Sequence, residues 1–265
     1  MPEGDTIYRI AVRLRPILEQ QRIAHVTARD SRLAVDTVAG QIVASIEPRG
    51  KHLLIHLANG HAVHSHLGMT GSWHVYSIGE TWLKPASYAA LTLSTERAVC
   101  VCFSPKTLEL LSPDALRRHT HLHRLGPDVL ADDFDGEQAL VRFRVRDDLP
   151  IGEAIMDQTI LCGVGNIYKS ETLFKCRLNP FRPVSSLTDG ELRGLIVAAR
   201  RLMRANRTGH DRRTRFQHDG DRFWAYGRSG QPCLHCGQRI CMRHQGTLGR
   251  STYWCPGCQP AAQGQ

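Results

Sequence analysis

The stretch His52-Leu53-Leu54-Ile55-His56-Leu57-Ala58-Asn59-Gly60-His61-Ala62-Val63-His64-Ser65-His66 decides the fold of the chain's first half. It holds two short apolar runs, His52 to Leu57 and Ala62 to His66, interrupted by Asn59-Gly60. Similar runs recur at Ile42 to Ile46, Tyr88 to Leu93 and Ala98 to Phe103, with Gly40, Gly50 and Gly68 as further breaks. Short strands punctuated in this way argue for an antiparallel sandwich between about Ile23 and Phe103. Ahead of them, Ile7, Ile10, Ala11, Leu14, Ile17 and Leu18 form a helical stripe. Asp5 or Thr6 can begin that helix, and Pro16 bends or ends it. Which strands pair stays open. The five histidines of the stretch match no compact ligand spacing. Strand alternation is expected to scatter them into structural roles, His66 excepted.

Proline, glycine and charge become frequent between Ser112 and Asp133, as at a domain boundary. Helical signals then dominate from Gly136 to about Arg207. The clearest is Asp189-Gly190-Glu191 leading into Leu192, Leu195, Ile196, Ala199, Leu202 and Met203. Gly209 to Asp221 is polar and charged, hence expected to be a mobile loop. Its Arg212-Arg213-Thr214-Arg215 run could cover a ligand, bind a backbone or simply meet solvent. The expected chain is α+β and multidomain. Residues 1–118 form the N-terminal helix and sandwich, 119–135 a linker, 136–230 a helical domain with the loop, and 231–265 a cysteine-rich unit.

A hydrophobic content of 42% excludes global disorder, and 34 Lys and Arg against 25 Asp and Glu leave a formal charge of +9. That excess favours a polyanionic partner such as nucleic acid. No apolar run is long enough to cross a bilayer, so no membrane partner is expected. The opening MPEGDTIYR lacks an apolar signal segment, and a cytoplasmic location follows as the expectation.

Nine cysteines are an odd number for a disulfide framework, and four of them form Cys233-Leu-His-Cys236 and Cys255-Pro-Gly-Cys258. The 18 residues between the pairs suffice for a strand hairpin. Four thiolates suit one tetrahedral Zn²⁺ that stabilises a unit too short for its own core. Such a site has no open coordination position, so the zinc is structural. An iron–sulfur centre or a redox dithiol is the alternative, and Cys241, His235 or His244 would break the symmetry of the pairs. Cys100 and Cys102 share a strand face and, with Cys162 and Cys176, read as packed thiols.

Pro2 follows Met1, and removal of that methionine exposes a secondary amine. An α-amine titrates near pH ~8, against about 10.4 for lysine, so more of it is nucleophilic at neutral pH. Attack on a sugar C1′ would expel a base and leave an iminium linkage. Glu3 stands beside it to move a proton. Lys51, after Arg49-Gly50, can meet a phosphate. Each has a plainer reading: a proline that starts a helix, an acid at a helix N-terminus, a strand-edge charge.

With these residues in place, the chain resembles the formamidopyrimidine-DNA glycosylase/endonuclease VIII family. The likeness runs through Met1-Pro2-Glu3-Gly4, Arg49-Gly50-Lys51, His66-Leu67-Gly68-Met69-Thr70-Gly71 and Leu125-Gly126-Pro127-Asp128. It continues through Gly163-Val164-Gly165-Asn166-Ile167-Tyr168-Lys169-Ser170-Glu171 and both cysteine pairs, in the family's order. The resemblance implies an N-terminal catalytic β-sandwich, a helix–two-turn–helix domain and a zinc-finger hairpin, with DNA across the cleft between domains. It implies excision of oxidised bases and β,δ-elimination at the abasic sugar. Pro2 then takes the nucleophile's role, Glu3 the proton-transfer role and Lys51 that of the active-site lysine. Asn166 and Arg250 take the phosphate contacts, and Met69 fills the gap left in the base stack.

Thr6 departs from the pattern, standing where many relatives carry a further glutamate. Ser104-Pro105-Lys106-Thr107-Leu108-Glu109 lacks the paired arginines and phenylalanine of the purine-specific branch. Leu125 to Leu130 and Tyr253 to Gln259 look more like endonuclease VIII. Oxidised pyrimidines are therefore the expected lesions, with 8-oxoguanine and formamidopyrimidines as the alternative suggested by His66 to Met69. Damaged, mainly duplex DNA is the expected partner of a monomer that sits on the nucleoid when bound. The rival class is a zinc-containing lesion-binding protein without catalysis, which needs Arg250 but no processed Pro2.

Overall fold

A computed structural model describes residues 2–209, 211–217 and 220–261. The chain divides into two compact units, residues 1–123 and 124–265. Among the described residues no helix is long and apolar enough to cross a membrane.

The first unit opens with α1, Gly4–Leu18, and continues with eight strands. These are β1 (His25–Ala28), β2 (Val43–Arg49), β3 (His52–Leu57), β4 (Ala62–His66), β5 (Ser72–Ser77), β6 (Ala89–Ser94), β7 (Ala98–Phe103) and β8 (Thr107–Leu111). They form two antiparallel sheets in the orders β1-β6-β7-β5 and β2-β3-β4-β8. Period-two alternation explains the packing: Leu53, Ile55, Leu57 and Val63 from one sheet join Leu91, Leu93, Cys100 and Cys102 from the other. Ile7, Ala11, Leu14 and Leu18 bring the stripe of α1 into the same core. Cys100 and Cys102 are fully buried there, as packed thiols should be.

Helix α1 continues two residues past Pro16, and Leu18 is buried. A proline this close to the end removes one hydrogen bond, to the carbonyl of solvent-exposed Val12, and the helix stops within the next turn. After β8, α2 (Pro113–Arg117) and α3 (Thr120–His123) close the unit. Ser112 caps α2 by accepting the Ala115 amide.

The second unit holds α4 (Gly136–Val145), α5 (Ile151–Ala154), α6 (Asn166–Lys175), α7 (Asp189–Arg204) and a hairpin of β9 (Cys241–Gln245) and β10 (Arg250–Trp254). The segment before α4 is tied into it: Gly126 N–H donates to Gln158 O at 2.8 Å and Val129 N–H to Cys162 O at 3.2 Å. A Cβ at Gly126 would lie 2.5 Å from the Ile160 carbonyl oxygen, which explains a glycine there. Thr188 and Glu191 form a reciprocal capping box at the start of α7.

Ile55 is wholly buried, so Ile55→Ala should lower the unfolding free energy by about 2–5 kcal/mol. Ile78, 61% exposed, should change it by no more than about 0.5 kcal/mol on the same substitution, both read from urea titrations.

Candidate functional site

In the first unit the start of α1 is organised around Glu3. Its carbonyl accepts the amides of Thr6 and Ile7, and its own amide donates to Thr6 Oγ1 at 3.4 Å. Glu3 is fully buried and Pro2 half-buried. Thr6 thus closes a capping box from the position where a longer acid would otherwise stand. Asp5 is buried as well and pairs with Arg9 at 3.5 Å.

Lys51 sits at the tip of the β2–β3 hairpin, where Arg49 pairs with His52 across a two-residue turn. Gly50 takes a left-handed φ of 59°, the conformation this tight turn demands. Met69 occupies the loop between β4 and β5 and is 68% exposed. That loop is drawn in at both ends. A Cβ at Gly68 would meet Lys106 Cβ at 2.8 Å, and one at Gly71 would meet the Leu67 carbonyl oxygen at 2.5 Å. Glycine at the base therefore leaves an apolar side chain standing at the tip.

In the second unit α6 organises the site. Gly165 caps it in extended geometry, and every residue from Asn166 to Phe174 is buried. Asn166 Nδ2 donates to Ser251 Oγ at 3.0 Å, beside Arg250 at the start of β10. Lys169 Nζ donates to Ser251 O at 3.1 Å and to Thr252 Oγ1 at 2.7 Å. The structure so joins Asn166 and the Arg250 strand, far apart in sequence. Arg250 Nε is buried without a hydrogen-bond partner, a donor suited to an anion.

Glu171 is the residue whose importance the sequence concealed. Its carboxylate accepts the amides of Trp224, Ala225 and Tyr226 at 2.7–2.8 Å and the Thr214 hydroxyl. Burial pushes its pKa up, and these four donors pull against that shift. The anchor reaches into the Gly209 to Asp221 stretch at Thr214. Thr214 and Arg215 are buried, and both their amides donate to Arg222 O. Arg212 lies over the Tyr168 ring at 5.3 Å.

Cys233, Cys236, Cys255 and Cys258 converge, with all four Sγ atoms within 4.8 Å of one another. Sγ separations are 3.8 Å for Cys233–Cys258 and 3.4 Å for Cys236–Cys255. Bonds of about 2.3 Å in a tetrahedron require thiolates roughly 3.8 Å apart, so the cluster can hold one metal ion. Phe174, Ala225 and Ile240 pack against these cysteines. Gln259 ties the knuckle to the helices, donating to Leu178 O at 2.8 Å while accepting the Cys255 amide.

Three of the five histidines of the opening stretch gather, while His56 pairs with Glu47. His52, His64 and His66 have even numbers and share one face, and pairing sets His52 opposite His66. His52 Nδ1 lies 2.8 Å from His64 Nε2, and the His119 and His121 rings complete the group. Burial drives the His52 pKa down to about 2, with the neighbouring histidines adding to the effect. His66 falls to about 4 through burial and the nearby Lys106 and Lys51. For His52, His64 and His66 alternation gathers residues of equal parity where scatter was expected from sequence.

Residues 1–123 match the family model described as the formamidopyrimidine-DNA glycosylase N-terminal domain, and residues 125–215 match its H2TH domain. The chain is 38% identical to a probable endonuclease 8 2 of Streptomyces coelicolor, covering 98% of this chain and 94% of that protein. It is 35% identical to the DNA-(apurinic or apyrimidinic site) lyase Nei2 of Mycolicibacterium smegmatis, covering 99% and 100%. The crystal structure of MutM (Fpg) from Thermus thermophilus superimposes with a TM-score of 0.80 at 32% identity, over 98% of this chain and 100% of that one.

Glu171→Ala should destabilise the second unit by about 3 kcal/mol or more, because three amides lose one fully buried acceptor together. Thermal melts, with Glu137→Ala on the exposed surface as control, measure the difference.

Proposed function

Because the chain belongs to the formamidopyrimidine-DNA glycosylase family, we propose that it excises oxidised pyrimidines from duplex DNA through a Schiff base on Pro2. It is a DNA glycosylase and a DNA-(apurinic or apyrimidinic site) lyase. The observation that carries the reading is the placement of Pro2 directly before buried Glu3 at the N-terminus of α1.

The amine exposed by loss of Met1 attacks C1′ of the damaged nucleotide. The N-glycosidic bond breaks, the base departs, and an iminium joins the sugar to Pro2. The positive end of α1 disfavours protonation of that amine and keeps its electron pair available. Glu3 delivers a proton to the sugar ring oxygen as the ring opens. The iminium acidifies C2′, so loss of that proton expels the 3′ phosphate, and a second elimination expels the 5′ phosphate.

Lys51, on a turn fixed by Gly50, binds a phosphate beside the reacting sugar. Asn166 and the unpaired donor of Arg250 hold phosphates flanking the extruded nucleotide. Met69 occupies the vacated space in the stack. The four cysteines would hold one Zn²⁺, which would fix the hairpin carrying Arg250 and take no part in the chemistry. The pyrimidine preference is supported by Leu125 to Leu130, by Tyr253 to Gln259 and by a Ser104 to Glu109 segment without paired arginines followed by phenylalanine. The enzyme acts as a monomer in the cytoplasm.

Borohydride should trap the chain on an abasic duplex with the DNA attached to Pro2, and N-terminal acetylation should abolish the adduct. An undiminished adduct after acetylation would remove Pro2 from the mechanism. Glu3→Gln should slow base excision about hundredfold or more while trapping on a preformed abasic site persists. Lys51→Ala should lower the salt dependence of binding by about one phosphate contact. Faster excision of 8-oxoguanine than of thymine glycol or 5-hydroxyuracil would reverse the substrate assignment.

A further inference from the structure

The β2-β3-β4-β8 sheet has a face turned away from the sandwich core, and it carries a polar cluster that base excision does not use. His64 on β4 stands directly opposite Glu109 on β8, with its Nδ1 2.7 Å from Glu109 Oε2. His119, just before α3, brings its Nε2 to 3.3 Å from the same oxygen. One ligand atom from each of the three lies within 4.8 Å of the others. The His64 side chain is 2% exposed and that of Glu109 41%, so the cluster is rooted in the sheet and open at one side.

We propose that His64, Glu109 and His119 form a second metal site, taking one divalent transition ion such as Zn²⁺, Co²⁺ or Ni²⁺. Two imidazoles and a carboxylate suit these ions, while Mg²⁺ and Ca²⁺ prefer oxygen alone. Bonds of about 2.0–2.2 Å to nitrogen and oxygen put ligand atoms roughly 3–3.5 Å apart around one ion. On Glu109 Oε2, His119 Nε2 at 3.3 Å already lies within that spacing and His64 Nδ1 at 2.7 Å lies just short of it. Exposed Glu109 offers the entry path and leaves further coordination positions to water.

The outer partner is also in place. His52 Nδ1 lies 2.8 Å from His64 Nε2, where it can orient a metal-bound ring. His52 in turn is held by the His66 and His121 rings at 4.9 and 5.1 Å.

Without an ion the same groups can satisfy one another. His52 donates to His64, His64 and His119 donate to Glu109, and the Leu122 amide donates to His119 Nδ1 at 3.2 Å. An ion on His64 Nδ1 and His119 Nε2 takes the place of two ring protons. His64, His52 and His119 then carry their protons on the other ring nitrogen, no proton is lost, and the Leu122 contact opens. This competition makes the ion exchangeable, unlike one held by four thiolates. When bound, it ties the segment carrying α2 and α3 to β4 and β8.

The test uses the full chain with its cysteine site filled by Zn²⁺. Co²⁺ is titrated in and followed by visible d–d absorption, with metal content measured after equilibrium dialysis. The expected result is one further equivalent without thiolate charge-transfer bands. It should vanish in Glu109→Gln and in His119→Ala and persist in His56→Ala, whose imidazole pairs with Glu47 instead. No further equivalent in the unsubstituted chain, or undiminished binding in either variant, overturns the site. Circular dichroism and retained zinc establish that each variant is folded, and Glu109→Gln decides alone if His119→Ala is not.

Discussion

A charged group taken out of water inside a helix needs partners, and α6, buried from Asn166 to Phe174, meets that need at Lys169 and Glu171. Its buried polar residues are Asn166, Lys169, Ser170, Glu171 and Thr172. Lys169 and Asn166 reach the β10 strand, Glu171 gathers three successive amides at 224–226, and Phe174 packs against the cysteine knuckle. One burial requirement therefore couples the helices, the Thr214–Arg222 segment and the hairpin into one unit. An unpaired buried carboxylate costs far more than any one of its hydrogen bonds returns, so the arrangement is held collectively.

The first unit solves a different problem, the display of single side chains from a rigid base. Lys51 and Met69 stand at turns whose conformation only glycine accepts readily, Gly50 for one and Gly68 for the other. Glu3 is fixed by the opening turn of α1, through Thr6 and Ile7. Sites on turns anchored by strands and helix ends keep their geometry better than sites on long loops.

The candidate site was legible wherever its signal is local. The two Cys-x-x-Cys pairs announce four convergent thiolates because short knuckles leave their Sγ atoms little choice. Pro2 and Glu3 are chain neighbours, so their joint place at the N-terminus of α1 can be read from adjacent residues. Glu171 was hidden because a charged residue inside a polar-looking run gives no sign of full burial. Composition likewise cannot reveal that Thr214, within the charged Gly209 to Asp221 stretch, finds a buried acceptor on α6.

The amino-acid sequence by itself determined the α1 stripe, five of the eight strands in the first unit, the two Cys-x-x-Cys pairs and the family. These depend on periodicity and on neighbours a few residues apart. Tertiary structure alone decided which strands pair, that His64 faces Glu109 across 45 residues, and that His119 is carried to the same oxygen. Register and helix docking are set by burial summed over whole faces, a quantity that no short window of residues contains.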